Sequence, residues 1–245
     1  MMLRVLGSGD PFGSGGRNQS AYLVEAGSRR ILLDCGPATV ASLKKLRVDT
    51  ARIDLVLLTH FHGDHVAGLP FLFHDYQHVT RCRAPLQVAG PRGVRRRVEE
   101  IYRALFPGRR RRRFRVEYRV LQADRPFRPA GMGDLRIVPF RVLHQASAPG
   151  FGYILEAGGR RRVYSGDTGW FEGLVRAVRG ADLFLCDCTH RERRTPGHLS
   201  LEELAAHRSR LEARRILLTH LGPGMARSRG ARGFELARDG MRVRV

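Results

Sequence analysis

The sequence predicts an α/β fold in which two mixed β-sheets pack together and helices cover the outside. Apolar runs of strand length, bounded by Gly, Pro or Asp, recur along the whole chain. Some of these runs follow one another directly, whereas others alternate with helical patterns, and this combination is typical of layered mixed sheets. The chain has 245 residues, of which 42% are apolar, so we expect a substantial core and a single domain over residues 1–245.

Strands are predicted at the apolar runs that end in turn residues. They cover residues 3–6, 21–25, 30–34, 55–59, 86–89, 115–121, 135–143, 152–156, 162–165, 183–187, 216–219 and 241–245.

Helices are predicted where apolar residues recur at helical spacing between the strands. They cover residues 37–46, 91–105, 171–179, 201–211 and, as the weakest candidate, 231–238. The fourth helix has the clearest start, because Ser200 can cap it and Glu203 lies three residues further on. This pair forms the capping box, which satisfies free backbone donors at a helix start.

A faint repeat relates the two halves of the chain. Apolar residues lead to Thr59-His60 in the first half and to Thr219-His220 in the second. Each half therefore ends a buried strand with Thr-His, which points to a site that the two halves share.

The formal net charge of +21 predicts a field that attracts anionic partners, such as RNA or a small phosphodiester. Among the 44 basic residues only Lys44 and Lys45 are lysine, and codon bias in a GC-rich genome would also produce such an arginine excess. An arginine run covers residues 109–113. Because its like charges repel into solvent, we interpret it first as a surface cluster and second as an RNA or phosphate contact.

Cellular location is predicted from two absences in the sequence. No stretch approaches the roughly 18 apolar residues of a membrane span, and the first residues lead into a strand without a signal-peptide core. We therefore expect no membrane partner and a cytoplasmic location. The cysteines lack the paired C-x2-C spacing of a structural zinc site, so we expect reduced thiols in the core or near the site, at Cys35, Cys82, Cys186 and Cys188.

The strongest functional signal is the segment that follows the apolar run at residues 54–58. It holds four metal-capable side chains, His60, His62, Asp64 and His65. Imidazoles crowded in this way repel once protonated and gain nothing from burial, unless a cation holds them together. The segment therefore predicts a metal site at a strand end.

Three more candidates, His144, Asp167 and His220, each follow an apolar strand. Taken singly, a histidine at a strand end often caps a loop, and Gly-Asp-Thr-Gly around Asp167 is an ordinary turn. Ligands in layered α/β proteins gather at strand ends, however, and two metal ions need roughly seven or eight protein contacts. We therefore expect these residues to complete a metal centre.

The pattern His60-x-His62-x-Asp64-His65 matches the H-x-H-x-D-H signature of the metallo-β-lactamase superfamily, and the resemblance covers nearly the whole chain. It implies a four-layer αββα sandwich and a metal-dependent hydrolase with a two-metal centre. By matching positions, one ion would take His60, His62 and His144, the other Asp64, His65 and His220, with Asp167 bridging and Asp34 behind the metals orienting a ligand.

Zinc is the favoured metal, because imidazole and carboxylate ligands suit it, and manganese and iron are the alternatives. Histidine at position 62 is unlike the oxygen-reducing di-iron members, which usually carry glutamate there. Asp64 and Asp167 would help to neutralise the ions and to orient the attacking water.

Within the superfamily the chain resembles the ribonuclease Z branch, on the segments at residues 6–11, 16–20, 62–70 and 89–93. In that branch a histidine with an acidic partner assists protonation of the leaving group. The resemblance assigns these roles to His198 and Asp187, where aspartate replaces the usual glutamate. The alternatives are that His198 merely precedes a helix cap, or that His190 is the donor.

The chain departs from the ribonuclease Z branch in the region that binds the substrate. Ribonuclease Z chains carry a long insertion between the third histidine ligand and the bridging aspartate, and it forms an arm that grips tRNA. Here only residues 145–166 separate His144 from Asp167, so the arm is absent.

Three functions stay open at this level. The first is a phosphodiesterase, either a ribonuclease Z-like nuclease or a hydrolase of small or cyclic phosphodiesters. The second is a hydrolase of lactones, thioesters or other esters at the same metal site. The third, a non-catalytic nucleic-acid-binding protein with a structural metal, is disfavoured by the full ligand set. Related chains are often dimers, so a homodimer is a further expectation.

Overall fold

Two β-sheets face each other across an apolar core, and helices cover the outer face of each sheet. A computed structural model shows this αββα arrangement and describes residues 1–108, 112–145, 149–192, 195–228 and 231–244. It confirms the predicted fold class.

Within these residues the first sheet has seven strands, and the last strand of the chain returns to its edge. Its first four strands in space are antiparallel and the remaining neighbours are parallel. In spatial order the strands are β13 (Arg242–Arg244), β1 (Met2–Gly7), β2 (Ala21–Ala26), β3 (Arg29–Leu33), β4 (Leu55–Leu57), β5 (Leu86–Gly90) and β6 (Val116–Val120).

The second sheet has six strands in the described part of the chain. Its last three strands in space are antiparallel and the others are parallel. In spatial order they are β12 (Glu235–Leu236), β11 (Ile216–Thr219), β10 (Leu183–Asp187), β9 (Arg160–Tyr164), β8 (Phe151–Ala157) and β7 (Arg136–Arg141).

Helices from each half of the chain pack on the sheet of that half. On the first sheet lie α1 (Thr39–Lys45), α2 (Gly63–Val66), α3 (Leu69–His78) and α4 (Val94–Leu105), and on the second α5 (Glu172–Val178), α6 (Leu201–Ala206) and α7 (Pro223–Ala226). The predicted capping box is present at the start of α6, where Ser200 and Glu203 bond reciprocally. None of the described helices is long and apolar enough to cross a membrane.

The central strands β4, β10 and β11 are buried on both faces. In β4, Leu55 and Leu57 face the core between the sheets, whereas Val56 packs under the helices. Leu183, Phe184 and Leu185 of β10 alternate in the same way. Strands covered on both sides need apolar residues at every position, which is why they stand out as continuous runs in the sequence. All four cysteines are buried and free.

Several elements differ from the prediction, which also omits the short helices α2 and α7. The helix predicted at 231–238 is wrong, because Glu235 and Leu236 instead pair in parallel with β11. Helix α3 was not predicted, although its buried residues Leu69, Leu72, Phe73 and Tyr76 have helical spacing. Its proline lies in the first turn, where a missing N–H costs little.

The two halves repeat, but not in the way that the Thr-His echo suggests. Strands β1 to β6 and β7 to β12 follow the same sequence of antiparallel and parallel neighbours. This correspondence matches β4 with β10, whereas the echoing Thr219 ends β11. The echo therefore joins strands that are not equivalent, although both bring a histidine to the same edge.

The interval that holds the arm in ribonuclease Z chains is filled by the hairpin of β8 and β9. Gly158 and Gly159 connect these strands, and both have a positive φ of 58° and 65°. Two left-handed residues in succession form the tight turn that suits a two-residue hairpin. The connection between β8 and β9 is therefore a two-residue turn and not a long insertion.

The arginine run after α4 is only partly described, since residues 109–111 lie outside the described residues. Arg112 is half-buried and forms two hydrogen bonds of 2.7 and 2.9 Å with the carboxylate of Glu99. Its guanidinium also lies 4.7 Å from the ring centre of Phe73 and 4.4 Å from that of Tyr102. Arg112 thus holds α4 to the protein and is not a solvated charge, which corrects the prediction for this residue.

We expect Arg112→Ala to lower the free energy of unfolding by about 2 to 3 kcal/mol, because the half-buried charge of Glu99 would lose its cationic partner and keep only the hydrogen bond from the Tyr118 hydroxyl. Denaturant unfolding of the variant would measure the loss. Arg113→Ala is the matched control, since Arg113 is exposed, and its effect should stay below about 0.5 kcal/mol. Equal losses in the two variants would contradict the structural role of Arg112.

Candidate metal centre

All seven predicted ligands lie at one edge of the sandwich, in two groups that share Asp167. His60 follows β4, His144 follows β7 and His220 follows β11. These strands point their carboxyl ends to the same edge, which brings together side chains that are distant in the sequence.

Short helix α2 is held by an unusually close backbone contact. The loop after β3 bonds to it through Cys35 N to His65 O at 2.7 Å and Gly68 N to Cys35 O at 2.8 Å. A Cβ on Gly68 would lie 2.0 Å from the carbonyl oxygen of Gly36. Only glycine permits this approach, and the approach positions Asp64 and His65.

The first group joins His60, His62, His144 and Asp167. His62 Nδ1 lies 2.9 Å from His60 Nε2 and 3.1 Å from His144 Nε2. Asp167 Oδ2 lies 3.7 Å from His60 Nε2 and 3.9 Å from His144 Nε2. Three imidazole nitrogens and a carboxylate oxygen therefore converge on one point.

The second group joins Asp64, His65, His220 and again Asp167. Asp64 Oδ2 lies 3.2 Å from Nε2 of both His65 and His220. Asp167 Oδ2 lies 3.3 and 3.4 Å from the same two nitrogens. Asp167 Oδ1 is buried and has no hydrogen-bond partner among the described residues.

The outward nitrogen of each histidine decides what its inward nitrogen can do. His144 Nδ1 donates to the carbonyl oxygen of Gly197 at 2.9 Å, and His65 Nδ1 donates to Asp34 Oδ2 at 2.8 Å. In the neutral form each ring carries one N–H, which these bonds place on Nδ1, so Nε2 then presents a lone pair to the centre. Lone pairs and carboxylates that converge in this way repel unless a cation lies between them, so the residues fit divalent metal ions.

Burial and charge shift the pKa values of these histidines in opposite directions. Burial, with His65 nearby, lowers the pKa of His60 well below its usual value, and burial also lowers that of His144. For His220 burial acts in the same direction, but Asp167 and Asp64 outweigh it and raise the pKa to about 9. The carboxylates thus favour positive charge beside His220, whether a proton or a metal supplies it.

Asp34 directly follows β3 and adopts the left-handed conformation, with φ of 57°. Its carboxylate accepts hydrogen bonds from His65 Nδ1, the Tyr164 hydroxyl at 2.7 Å and the Thr59 hydroxyl at 2.9 Å. Because the Thr59 hydroxyl donates to Asp34, its oxygen accepts from His60 Nδ1 at 2.9 Å. One buried carboxylate therefore orients two candidate ligands.

The second sheet repeats this device with Asp187, Thr189 and His220. The Thr189 hydroxyl donates to Asp187 Oδ1 at 2.8 Å, and its oxygen lies 2.8 Å from His220 Nδ1. His198 Nδ1 lies 2.9 Å from Asp187 Oδ2, so the predicted donor pair forms beside this ligand. Thr219, which the sequence echo singled out, instead bonds the hydroxyl of Tyr22 at 2.7 Å.

Sequence reasoning did not select Thr59, Thr189, Tyr164 or Gln145, whose Oε1 lies 3.1 Å from His62 Nε2. The signal for Thr59 was its place directly before the first ligand, whereas nothing local marks Thr189. His190, the weaker donor candidate, directs Nε2 to the Thr195 hydroxyl at 3.2 Å and joins neither group.

We expect Thr189→Val to weaken metal retention by about tenfold, because His220 and Asp187 lose the hydroxyl that joins them. Thr189→Ser keeps the hydroxyl and should retain metal as the parent protein does. Metal content after dialysis against a graded chelator measures the difference. If the serine and valine variants lose metal equally, the hydroxyl has no such role.

Comparisons with known proteins agree with this geometry. A family model described as the beta-lactamase superfamily domain matches residues 29–221. The chain is 24% identical to the ribonuclease Z of Agathobacter rectalis, over 85% of this chain and 84% of that protein.

Solved structures share the fold over the full length. The short form of human tRNase Z superposes with a TM-score of 0.80 at 25% identity, covering 100% of this chain and 99% of that one. A diphosphatase of the PhnP family superposes with a TM-score of 0.79 at 19% identity, covering 100% and 97%. The chain therefore belongs to the beta-lactamase superfamily and is a metal-dependent hydrolase with the metallo-β-lactamase fold.

Proposed function

We propose that the protein is a zinc-dependent phosphodiesterase with a two-metal centre. The observation that carries the proposal is that two groups of candidate metal ligands share Asp167. Asp187 and His198 lie beside the second group, next to His220. One ion would be held by His60, His62 and His144, the other by Asp64, His65 and His220. When bound, such ions supply Lewis-acid polarisation of a phosphoryl oxygen and make water a stronger acid.

Side chains of the protein orient the attacking water and protonate the leaving group. The carboxylates of Asp64 and Asp167 accept hydrogen bonds and orient the attacking water on the side of the scissile phosphate. The Nδ1–H of His198 donates a hydrogen bond to Asp187 Oδ2, so Nε2 is the nitrogen that can give a proton to the leaving oxygen. Although burial opposes it, the charge of Asp187 raises the pKa of His198, so the ring holds that proton more firmly.

A phosphodiester is preferred over other esters for two reasons. The net charge of +21 attracts anionic substrates. The similar proteins are named ribonuclease Z, tRNase Z and diphosphatase, so their names point to RNA or diphosphate substrates. The absence of room for an arm between β8 and β9 means that an RNA substrate would be held by another surface.

Turnover of bis-p-nitrophenyl phosphate by zinc-loaded protein tests the proposal, beside a thioester and a lactone. We expect hydrolysis of the phosphodiester, with loss of activity when a chelator removes the metal and recovery when zinc is added. Manganese and iron reconstitution in parallel would rank the metals. Hydrolysis of only the thioester or lactone would reject the phosphodiesterase, and no turnover of any substrate would favour a structural metal.

A further inference from the structure

A cavity of about 640 Å³ opens beside the candidate metal centre, between His62 and helix α4. His60 and His144 form its inner wall, and Arg97, Ile101 and Ala104 of α4 form its outer wall. It therefore leads directly from the first donor group to the surface of α4.

The exposed face of α4 is strongly basic. Arg92 precedes the helix, and Arg95, Arg96, Arg97 and Arg103 lie on it, all exposed. In the described part of the chain, the acid on this face is Glu100, at 3.9 Å from Arg96 and 3.6 Å from Arg97, since Glu99 is bound by Arg112. Five exposed arginines against one glutamate leave this face with a surplus of positive charge, and exposed pairs at such distances are weak.

The cavity wall also offers apolar contact. Phe61 and Ile101 both line it and are half-buried. An aromatic ring beside arginines is the combination that binds single-stranded nucleic acid, because bases stack on the ring while cations follow the phosphates. A small ester would have no use for the basic face beyond the cavity.

The length of the basic face favours a polymer. Helix α4 has 12 residues and is therefore about 18 Å long. Since phosphates of one strand repeat every few ångströms, this length spans several nucleotides, whereas a mononucleotide or cyclic diester would reach only Arg97.

We infer that α4 and this cavity form the path of a single-stranded RNA, with a base against Phe61 and Ile101 and the next phosphate on Arg97. The inference rests on the proposed phosphodiesterase and names its substrate class. In this arrangement α4 takes the place of the missing arm, and Glu100 moderates the binding.

The test compares a single-stranded RNA of about 12 nucleotides with bis-p-nitrophenyl phosphate, using zinc-loaded protein. Arg97→Ser should raise KM for the RNA about fivefold and make the dependence of log kcat/KM on log salt shallower by about 0.7. Ala104→Trp, which fills the cavity from an exposed helix position, should raise KM for the RNA further. Glu100→Gln should act in the opposite direction and lower it.

Arg52→Ser is the matched control, because Arg52 is exposed and precedes β4, at the edge opposite the metal centre. We expect it to change neither KM nor the salt dependence. The α4 path is overturned if Arg97→Ser and Arg52→Ser affect RNA equally, or if Arg97→Ser affects both substrates by the same factor. Cleavage of bis-p-nitrophenyl phosphate without cleavage of RNA would overturn the path and leave the phosphodiesterase standing, whereas no phosphodiester cleavage at all would reject both.

Discussion

Replacing Asp167 with asparagine is expected to lower phosphodiester hydrolysis by about 10³-fold and to reduce the bound metal, because several kcal/mol of charge stabilisation depend on this site. Asp167 Oδ2 lies between 3.3 and 3.9 Å from the inward nitrogens of His60, His65, His144 and His220. It is the only side chain that belongs to both of the donor groups found around the centre in the described residues. The amide keeps the shape of the carboxylate but not its charge.

Metal content by elemental analysis, measured beside the rate, tests this cause, and an unchanged circular dichroism spectrum of the variant separates it from misfolding. Asp124→Asn is the control, since Asp124 is exposed and has a positive φ of 60° that asparagine tolerates. The control should keep full metal content and rate. An Asp167→Asn protein with both metal content and rate unchanged would exclude a bridging role for this carboxylate.

Replacing His198 with alanine is expected to slow substrates with poor leaving groups by about 10²-fold or more, because general acid catalysis contributes that much. Nitrophenyl esters should lose far less, since nitrophenolate leaves without a proton. The ring of His198 lies 4.8 Å from that of His144 and 5.2 Å from that of His220, which places it at the centre. Rates for a series of aryl and alkyl phosphodiesters would give the slope against leaving-group pKa.

His190→Ala is the matched control for this experiment. His190 is the other histidine of the same loop region, but its ring centre is 6.2 Å from that of His198 and its Nε2 faces Thr195. We expect its leaving-group slope to equal that of the parent protein. Equal losses of His198→Ala on good and poor leaving groups, or a steeper slope in His190→Ala, would refute the role of His198.

Residue types and local patterns explain why the ligands of this site could be predicted from the sequence. Four ligands lie within residues 60–65, and the other three each follow an apolar strand, so residue type and strand ends were enough to select them. The strands could be found because burial on both faces requires an apolar residue at every position. The proline near the start of α3 and the short β12 carried weaker signals, and there the prediction missed a helix and placed a wrong one.

The residues that hydrogen-bond the ligand histidines from behind could not be selected from the sequence in the same way. Thr189 and Thr219 are equally plausible partners of His220 in the sequence, and Thr219 is adjacent to it. Alternation along β11 turns the Thr219 side chain to the core between the sheets, where it meets Tyr22, whereas Thr189 arrives from the end of β10. Only the pairing of strands decides which hydroxyl orients the ligand.

The sequence by itself determined the family resemblance, the layered fold and the identity of the metal-capable residues, because these follow from local patterns of apolar and polar side chains. The tertiary structure decided which charges are available to a substrate. The sequence suggests that Arg112 belongs to a solvated run, but Glu99, Phe73 and Tyr102 enclose it. The arginines of α4 are exposed instead, and one of them, Arg97, lines the cavity. Whether a charge is neutralised or free depends on contacts between distant segments, which the order of residues does not reveal.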